Sequence, residues 1–294
     1  MELLKQYPVT ITEIKAAKKV IEAKAMAKEM FTVDNLKLAF SLIDLTSLNA
    51  TDPLDKGREL AEKVNHFPAR YSGIPDVAAI CVYPPLVKTV ATYLKIKTVG
   101  LASVAAGFPS SQTFLEVKTL ECHTAAFSGA TDIDIVISLG TWLSGDYETV
   151  YNEIKACKEA IGYSHLKVIL ETGTLKTVEH IWNASIMAMA AGADFIKTST
   201  GKSEPAATPE AVYIMCKAIK AFYEITGKKV GIKAAGGIVD SQDALVYLAT
   251  AKMVLGEDWL NKKLFRIGAS RLANNLVADI IKLETGRNET VTYF

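Results

Sequence analysis

A chain of 294 residues, half of them hydrophobic and 22% charged, can build one large core, and a single (β/α)8 barrel of roughly 250 residues with an extension fits that length. Its 33 basic and 32 acidic side chains nearly cancel, which speaks against a nucleic acid or an anionic membrane held by bulk charge. The four cysteines, Cys81, Cys122, Cys157 and Cys216, form no CxxC pair and the four histidines no ligand-spaced cluster. Reduced thiols in a cytoplasmic protein without a bound metal are therefore expected.

The first thirty residues, MELLKQYPVTITEIKAAKKVIEAKAMAKEM, lack the apolar core of a signal peptide and contain no arginine, unlike a transit peptide. From Thr12 to Met30 strong helix formers run without interruption behind a capping threonine, so residues 1–36 read as a helical N-terminal extension. No uninterrupted apolar run of about 18 residues occurs, and a membrane-spanning helix is not expected.

Beyond residue 36 a rhythm of short apolar runs sets in: LAFSLIDLTSL, VAAICVYP, TVGLASVAAGF, TDIDIVISL, LKVILETG, DFIKTSTG, VGIKAAGG and FRIGAS, beginning near Leu38, Val77, Thr98, Thr131, Leu166, Asp194, Val230 and Phe265. Helical stretches separate most of them. PEAVYIMCKAIKAFYEIT, for instance, opens on Thr208 and Pro209 and stops at Gly227, a cap at one end and a breaker at the other. Eight strands alternating with helices predict a (β/α)8 TIM barrel over residues 37–285, with a flexible tail at 286–294. An open doubly wound sheet is the alternative, weakened by the absence of GxGxxG after the first strand.

In a barrel the ends of the strands carry the chemistry. Lys197 follows Phe195 and Ile196 on the sixth run, and Lys233 follows Gly231 and Ile232 on the seventh. Two ammonium groups on neighbouring strands in a desolvated mouth depress each other's pKa and leave a neutral, nucleophilic amine. Asp134, between two isoleucines on the fourth run, is a buried carboxylate that requires a cationic or protonated partner. One buried lysine alone would suit a structural ion pair. Two lysines and an aspartate at three strand ends point instead to Schiff-base chemistry on a carbonyl substrate, with no metal and no cofactor. After the seventh and eighth runs, AAGGIVDSQDA and IGASRLANNL place glycines and a serine before helices, where barrels often hold phosphate; the amides of Gly236, Gly237 and Ser270 are the expected donors.

These residues carry a resemblance. DLTSLNATD (Asp44 to Asp52), AAICVYP (Ala78 to Pro84), LKVILETG (Leu166 to Gly173), AGADFIKTSTGK (Ala191 to Lys202), GIKAAGG (Gly231 to Gly237) and RIGAS (Arg266 to Ser270) are similar to the deoxyribose-phosphate aldolase family across about residues 36–285. The resemblance implies a class I aldolase that reversibly cleaves 2-deoxyribose 5-phosphate to glyceraldehyde 3-phosphate and acetaldehyde. It implies Lys197 as the Schiff-base lysine, Lys233 as the neighbour that lowers its pKa and Asp134 as the proton-transfer carboxylate. Asp44, Thr46, Asn49, Cys81 and Thr200 match positions near the substrate, and Gly201, Lys202, Gly236, Gly237, Gly268 and Ser270 match positions around its phosphate. Asp44, Thr46 and Asn49 also read as a capped turn, and Cys81 as a core residue. Arg271 stands where many members have a second serine, adding charge beside the phosphate site. Family members often end in a tyrosine that reaches the active site, whereas here Tyr293 is followed by Phe294, and a disordered end is the other reading. Partners are then phosphorylated sugars and aldehydes, with a homodimer suggested by apolar helix faces. An aldolase of another phosphorylated sugar, or a non-catalytic binding protein on the same fold, are the competing functions.

Overall fold

Eight parallel strands close on themselves in sequence order in the computed structural model, which describes residues 2–294. They are β1 (Ile43–Thr46), β2 (Ala79–Val82), β3 (Gly100–Val104), β4 (Asp132–Val136), β5 (His165–Ile169), β6 (Phe195–Lys197), β7 (Gly231–Ala235) and β8 (Phe265–Ala269). Most strand positions are buried. A strand with the barrel lumen on one side and helices on the other has no wet face, so its sequence reads as a nearly continuous apolar run. That makes every charged residue inside such a run conspicuous.

The helices follow in order: α1 (Glu2–Lys5), α2 (Glu13–Glu29), α3 (Val33–Ser41), α4 (Leu54–Arg70), α5 (Val87–Tyr93), α6 (Leu115–Phe127), α7 (Leu139–Leu143), α8 (Tyr147–Ala160), α9 (Thr172–Leu175), α10 (Val178–Ala190), α11 (Pro209–Thr226), α12 (Ser241–Leu255) and α13 (Arg271–Thr285). α11 keeps the ends expected of it. Thr208 Oγ1 accepts from the Ala211 amide, Pro209 fills the first turn and Gly227 closes the helix at φ 70°.

The first apolar run divides differently from its sequence reading. Its LAFS portion belongs to α3, which is capped by Thr32 and buries Leu36, Ala39 and Phe40, and only IDLT forms the strand. The i, i+3, i+4 spacing of those three residues is helical, and it outweighs the local apolar density. The helix therefore spans the boundary at residue 36 between extension and barrel. α2 is capped by Thr12, whose hydroxyl accepts from the Lys15 amide, and it buries Ala16, Val20, Ala23 and Ala27 against α11 and α12. Small residues let the helices approach closely there, so the extension is packed along the flank of the barrel.

The chain after α13 returns to the body. Asn274 Oδ1 accepts from the amides of Tyr293 and Phe294, and Asn274 Nδ2 donates to the Phe294 carbonyl. Both rings join Phe40, Phe67 and Tyr71 in an aromatic cluster.

Candidate active site

The barrel interior carries seven charged side chains in contact. Asp134 Oδ2 on β4 accepts from Lys197 Nζ on β6 and from Lys233 Nζ on β7, each at 2.8 Å, so the two ammonium nitrogens are at most twice 2.8 Å apart. Lys233 Nζ also lies 2.6 Å from Asp44 Oδ2 on β1, an ion contact rather than a well-directed hydrogen bond. The other oxygen of Asp44 accepts from Arg266 Nη1 on β8 at 2.6 Å. Below these, Lys167 on β5 donates to Asp132 Oδ1 on β4 at 2.6 Å and stands 3.5 Å from Asp134 Oδ1 and 3.8 Å from Asp44 Oδ2. All seven are buried, with Arg266 the most exposed at 7%.

Charge balance decides what this cluster does. Three carboxylates face three lysines and one arginine, so with every lysine protonated the buried set carries one uncompensated positive charge, which is costly at this depth. The surplus proton is the one whose loss restores neutrality, and Lys197 is the group to lose it. Desolvation pushes its pKa down, and the Lys233 cation adds to that against the opposing pull of Asp134. For Lys233 burial would lower the pKa, but Asp134 and Asp44 outweigh it and hold the amine protonated well above the ordinary lysine value. Asp134 itself, despite full burial, stays well below the usual carboxylate range because Lys197, Lys233 and Lys167 surround it. The sequence reading had the two lysines depress each other; only Lys197 is depressed, because Lys233 has two carboxylates and Lys197 has one.

Of the cluster only Lys197 lines the open cleft, a cavity of about 370 Å³ at the C-terminal ends of the strands. Thr46, Asn49, Thr200, Gly201, Lys202, Gly236, Gly237, Gly268 and Ser270 line it too, so every expected phosphate-side residue is there. Three cationic side chains, Lys56, Lys202 and Arg271, face this cleft beside Lys197, and among the described residues no acidic one does, which suits an anionic ligand. Gly201, Gly236 and Gly237 all have positive φ, and a Cβ on Gly236 would come within 2.6 Å of the Ala206 Cβ. Glycine is thus what allows the β6 and β7 loops to meet. Gly268 is required for a second reason: a Cβ there would stand 2.8 Å from Ala235 Cβ and crowd Lys233 Cε at 3.1 Å. The Ser270 side chain makes no cap hydrogen bond to the first turn of α13, so that helix turns uncapped amides and a positive dipole end to the cleft.

The remaining expected residues lie elsewhere. Asp44 is wholly inside the barrel as a partner of Lys233 and Arg266, not a cleft residue. Cys81 is fully buried in an apolar cluster with Leu48, Ala102 and Val104, where burial raises its thiol pKa. Asn49 is both turn and site: its amide and side chain donate to Asp52 at 3.1 Å while it lines the cleft. Tyr293 does not face the cleft; its hydroxyl donates to the Lys63 carbonyl at 2.7 Å, and Phe294 is the tail residue that lines the cavity.

Sequence reading passed over Lys167, Asp132, Arg266, Glu171 and Lys56. Glu171 holds the β6 loop: its carboxylate accepts from the Thr200 amide at 3.2 Å and from the Thr200 hydroxyl at 2.5 Å, and Thr200 Oγ1 in turn accepts from the Lys202 amide. Lys202 Nζ donates to the Leu48 carbonyl, tying the β6 loop to the β1 loop across the cleft.

A barrel with a lysine of lowered pKa at its open end and a cationic cleft above it defines a Schiff-base enzyme acting on an anionic carbonyl compound. Residues 39–257 match the sequence profile described as DeoC/LacD family aldolase, and the chain belongs to that family. It is 40% identical over 278 residues to the human deoxyribose-phosphate aldolase, covering 91% of this chain and 87% of the relative, and 39% identical over the same length to the bovine enzyme. Among solved structures it is similar to an aldolase designated QR15, at 27% identity and a TM-score of 0.68 over 84% of this chain and 97% of that one. A tetrameric deoxyribose-phosphate aldolase from Aeropyrum pernix, at 24% identity, shares the fold with a TM-score of 0.68 over 92% and 99% of the two chains. The protein is an aldolase.

Proposed function

We propose that this aldolase cleaves and forms 2-deoxyribose 5-phosphate through a Schiff base on Lys197. The observation that carries the reading is the Lys197–Asp134–Lys233 constellation at the floor of a cleft with a cationic rim. The phosphate binds among Gly201, Lys202, Gly236, Gly237, Gly268 and Ser270, and the chain of the sugar reaches down to Lys197 past Thr46, Asn49 and Thr200. Neutral Lys197 Nζ adds to the C1 aldehyde, and the carbinolamine loses hydroxide as water, taking a proton supplied through Asp134 or Lys233. In the resulting iminium, Asp134 takes the C3 hydroxyl proton, directly or through water. The C2–C3 electron pair then moves into the iminium, releasing glyceraldehyde 3-phosphate. The enamine left on Lys197 is protonated at C2 and hydrolysed to acetaldehyde, restoring the amine. Asp44 and Arg266 position Lys233, and Cys81 packs beneath the site.

The aldolase works in the cytosol, where four buried unpaired cysteines persist as thiols, and it works as a homodimer. Incubation with 2-deoxyribose 5-phosphate and borohydride followed by peptide mapping is expected to place a reduced adduct on Lys197 that Lys197→Ala abolishes. An adduct on another lysine, or none from folded protein, would overturn the Schiff-base assignment. An adduct formed only with a different phosphorylated aldose would overturn the choice of substrate.

A further inference from the structure

Helices on the outer ring of a barrel normally turn a polar face to solvent. α8 does so with Glu148, Asn152, Lys155 and Glu159. Its neighbour α6 does the opposite. Phe114 just before the helix, then Val117, Leu120 and Phe127, are 77, 47, 64 and 87% exposed. The spacing of Val117, Leu120 and Phe127 keeps those three on one stripe opposite the buried Lys118, Cys122 and Ala125, and Phe114 stands exposed at the N-terminal end of that stripe. From those exposures the stripe offers on the order of 500 Å² of apolar side chain, at the upper end of what a monomer shows the solvent. With a polar rim it approaches the roughly 800 Å² per partner of a stable interface.

We propose that this stripe is the homodimer interface, two copies of α6 packing antiparallel across a two-fold axis that passes by Leu120. The inference rests on the homodimer reading above and supplies its surface. A second copy is favoured because the stripe is complementary to itself in an antiparallel pairing centred on Leu120. With the axis at Leu120, that residue meets its own counterpart, and Phe114 and Phe127 of one copy face Phe127 and Phe114 of the other. The same register brings Glu116, the one exposed acid of α6, to His123 of the partner subunit. His123 stacks on Phe127 in its own chain, and its Nδ1 pairs with the Ala160 carbonyl at 3.3 Å, which leaves Nε2 for that contact. A parallel pairing would instead set Glu116 against Glu116. The other acid of the helix, Glu121, is committed to the Gly107 amide at 2.8 Å.

Sedimentation and disulfide trapping test the surface and its register. The wild type is expected to be dimeric, and Leu120→Glu to weaken association by about 30-fold or more while keeping its circular dichroism and its cleavage of 2-deoxyribose 5-phosphate. Ile21→Glu, on α2 and exposed at 68%, should leave association unchanged. Under mild oxidation Leu120→Cys should trap a covalent dimer, because the axis brings the position to itself, and Val117→Cys should not; the native cysteines are all buried and do not compete. A monomer at every concentration would overturn both the dimer and its surface while leaving the lysine adduct intact. A dimer indifferent to Leu120→Glu would overturn the surface alone, as would association only with a different protein. Trapping through Val117→Cys in place of Leu120→Cys would overturn the register.

Discussion

In the lower half of the barrel, Lys167 and Arg266 face Asp132 and Asp44 in a closed set, two cations against two carboxylates, in which each charge has an opposite one within 4 Å and no side chain reaches the cleft. In the upper half, Lys197, Lys233 and Asp134 use the same residue types, yet here the cations outnumber the carboxylate and one of them opens on the cavity. The difference is stoichiometry and access, not chemistry. A balanced buried network only resists disruption, whereas one with a surplus proton next to solvent has a group ready to lose it.

The largest effects should separate the halves completely. Lys197→Met is expected to lower kcat/KM for cleavage by about 10⁴-fold or more while leaving thermal stability unchanged or slightly raised, since it replaces a buried amine held neutral and leaves three carboxylates against three cations. Lys167→Met, in the lower half, strands Asp132 without its 2.6 Å partner and is expected to cost about 3–5 kcal/mol of stability. Paired denaturation and kinetic measurements on the two variants check both. A Lys197 variant that unfolds, or a Lys167 variant as stable as the wild type, would erase the distinction.

A smaller effect sharpens it. The depressed pKa of Lys197 means the amine is protonated, and inactive as a nucleophile, only below a pH that lies under the ordinary value of 10.5. Activity should therefore fall as pH drops through that folded-state value. Lys233→Met removes a cation that lowers the Lys197 pKa and leaves Asp134 to pull on Lys197 alone, and both changes raise it. The acid limb of kcat/KM is expected to move to higher pH, with kcat reduced about 10²–10⁴-fold. A lowered rate on an unmoved limb would reduce Lys233 to a structural role.

The carboxylates give a stability counterpart. Burial alone would raise Asp44 and Asp132, but for Asp44 the cations Lys233, Arg266 and Lys167, and for Asp132 Lys167 and Arg266, bring both below the ordinary value of 3.8. Groups with depressed folded-state pKa contribute stability that is complete above the unfolded value and disappears as pH falls through the folded one. The fold should accordingly hold its full stability down to about pH 5 and lose it progressively below about pH 4, with Asp132→Asn flattening that loss in an acid titration followed by circular dichroism.

Much of this contrast could be read from residues alone, and the part that could not has a physical reason. Lys197, Lys233 and Asp134 were legible because each interrupts an apolar strand. By the same signal, Asp132 in TDIDIV, Lys167 in LKVIL and Arg266 in FRIG were equally legible; what a linear reading lacks is the closure that puts β8 beside β1 and joins these three and Asp44 into one balanced set. Lys56 could not be found this way, since it comes to the cleft on α4, through tertiary placement of a surface helix. The strand before Asp44 was overrun for the opposite reason: Leu36, Ala39 and Phe40 satisfy a helical period that apolar density conceals.

The smallest effect concerns the end of the chain, where the family resemblance suggested a tyrosine at the site. Tyr293 instead directs its hydroxyl to the Lys63 carbonyl and its ring edge-on to Phe67 and Tyr71, while Phe294 lines the cleft. Tyr293→Phe keeps the ring and removes one hydrogen bond at a half-buried position, so a loss of about 0.5–1.5 kcal/mol is expected, with kcat changed by no more than about threefold. Phe294→Ala removes part of the cleft wall and should raise KM while sparing kcat, because the ring packs with Phe40 and Phe67 and carries no group that can move a proton. A kcat loss of about tenfold or more in Tyr293→Phe, with stability intact, would mean that the tail leaves its aromatic seat during turnover and that the hydroxyl takes part in proton transfer after all.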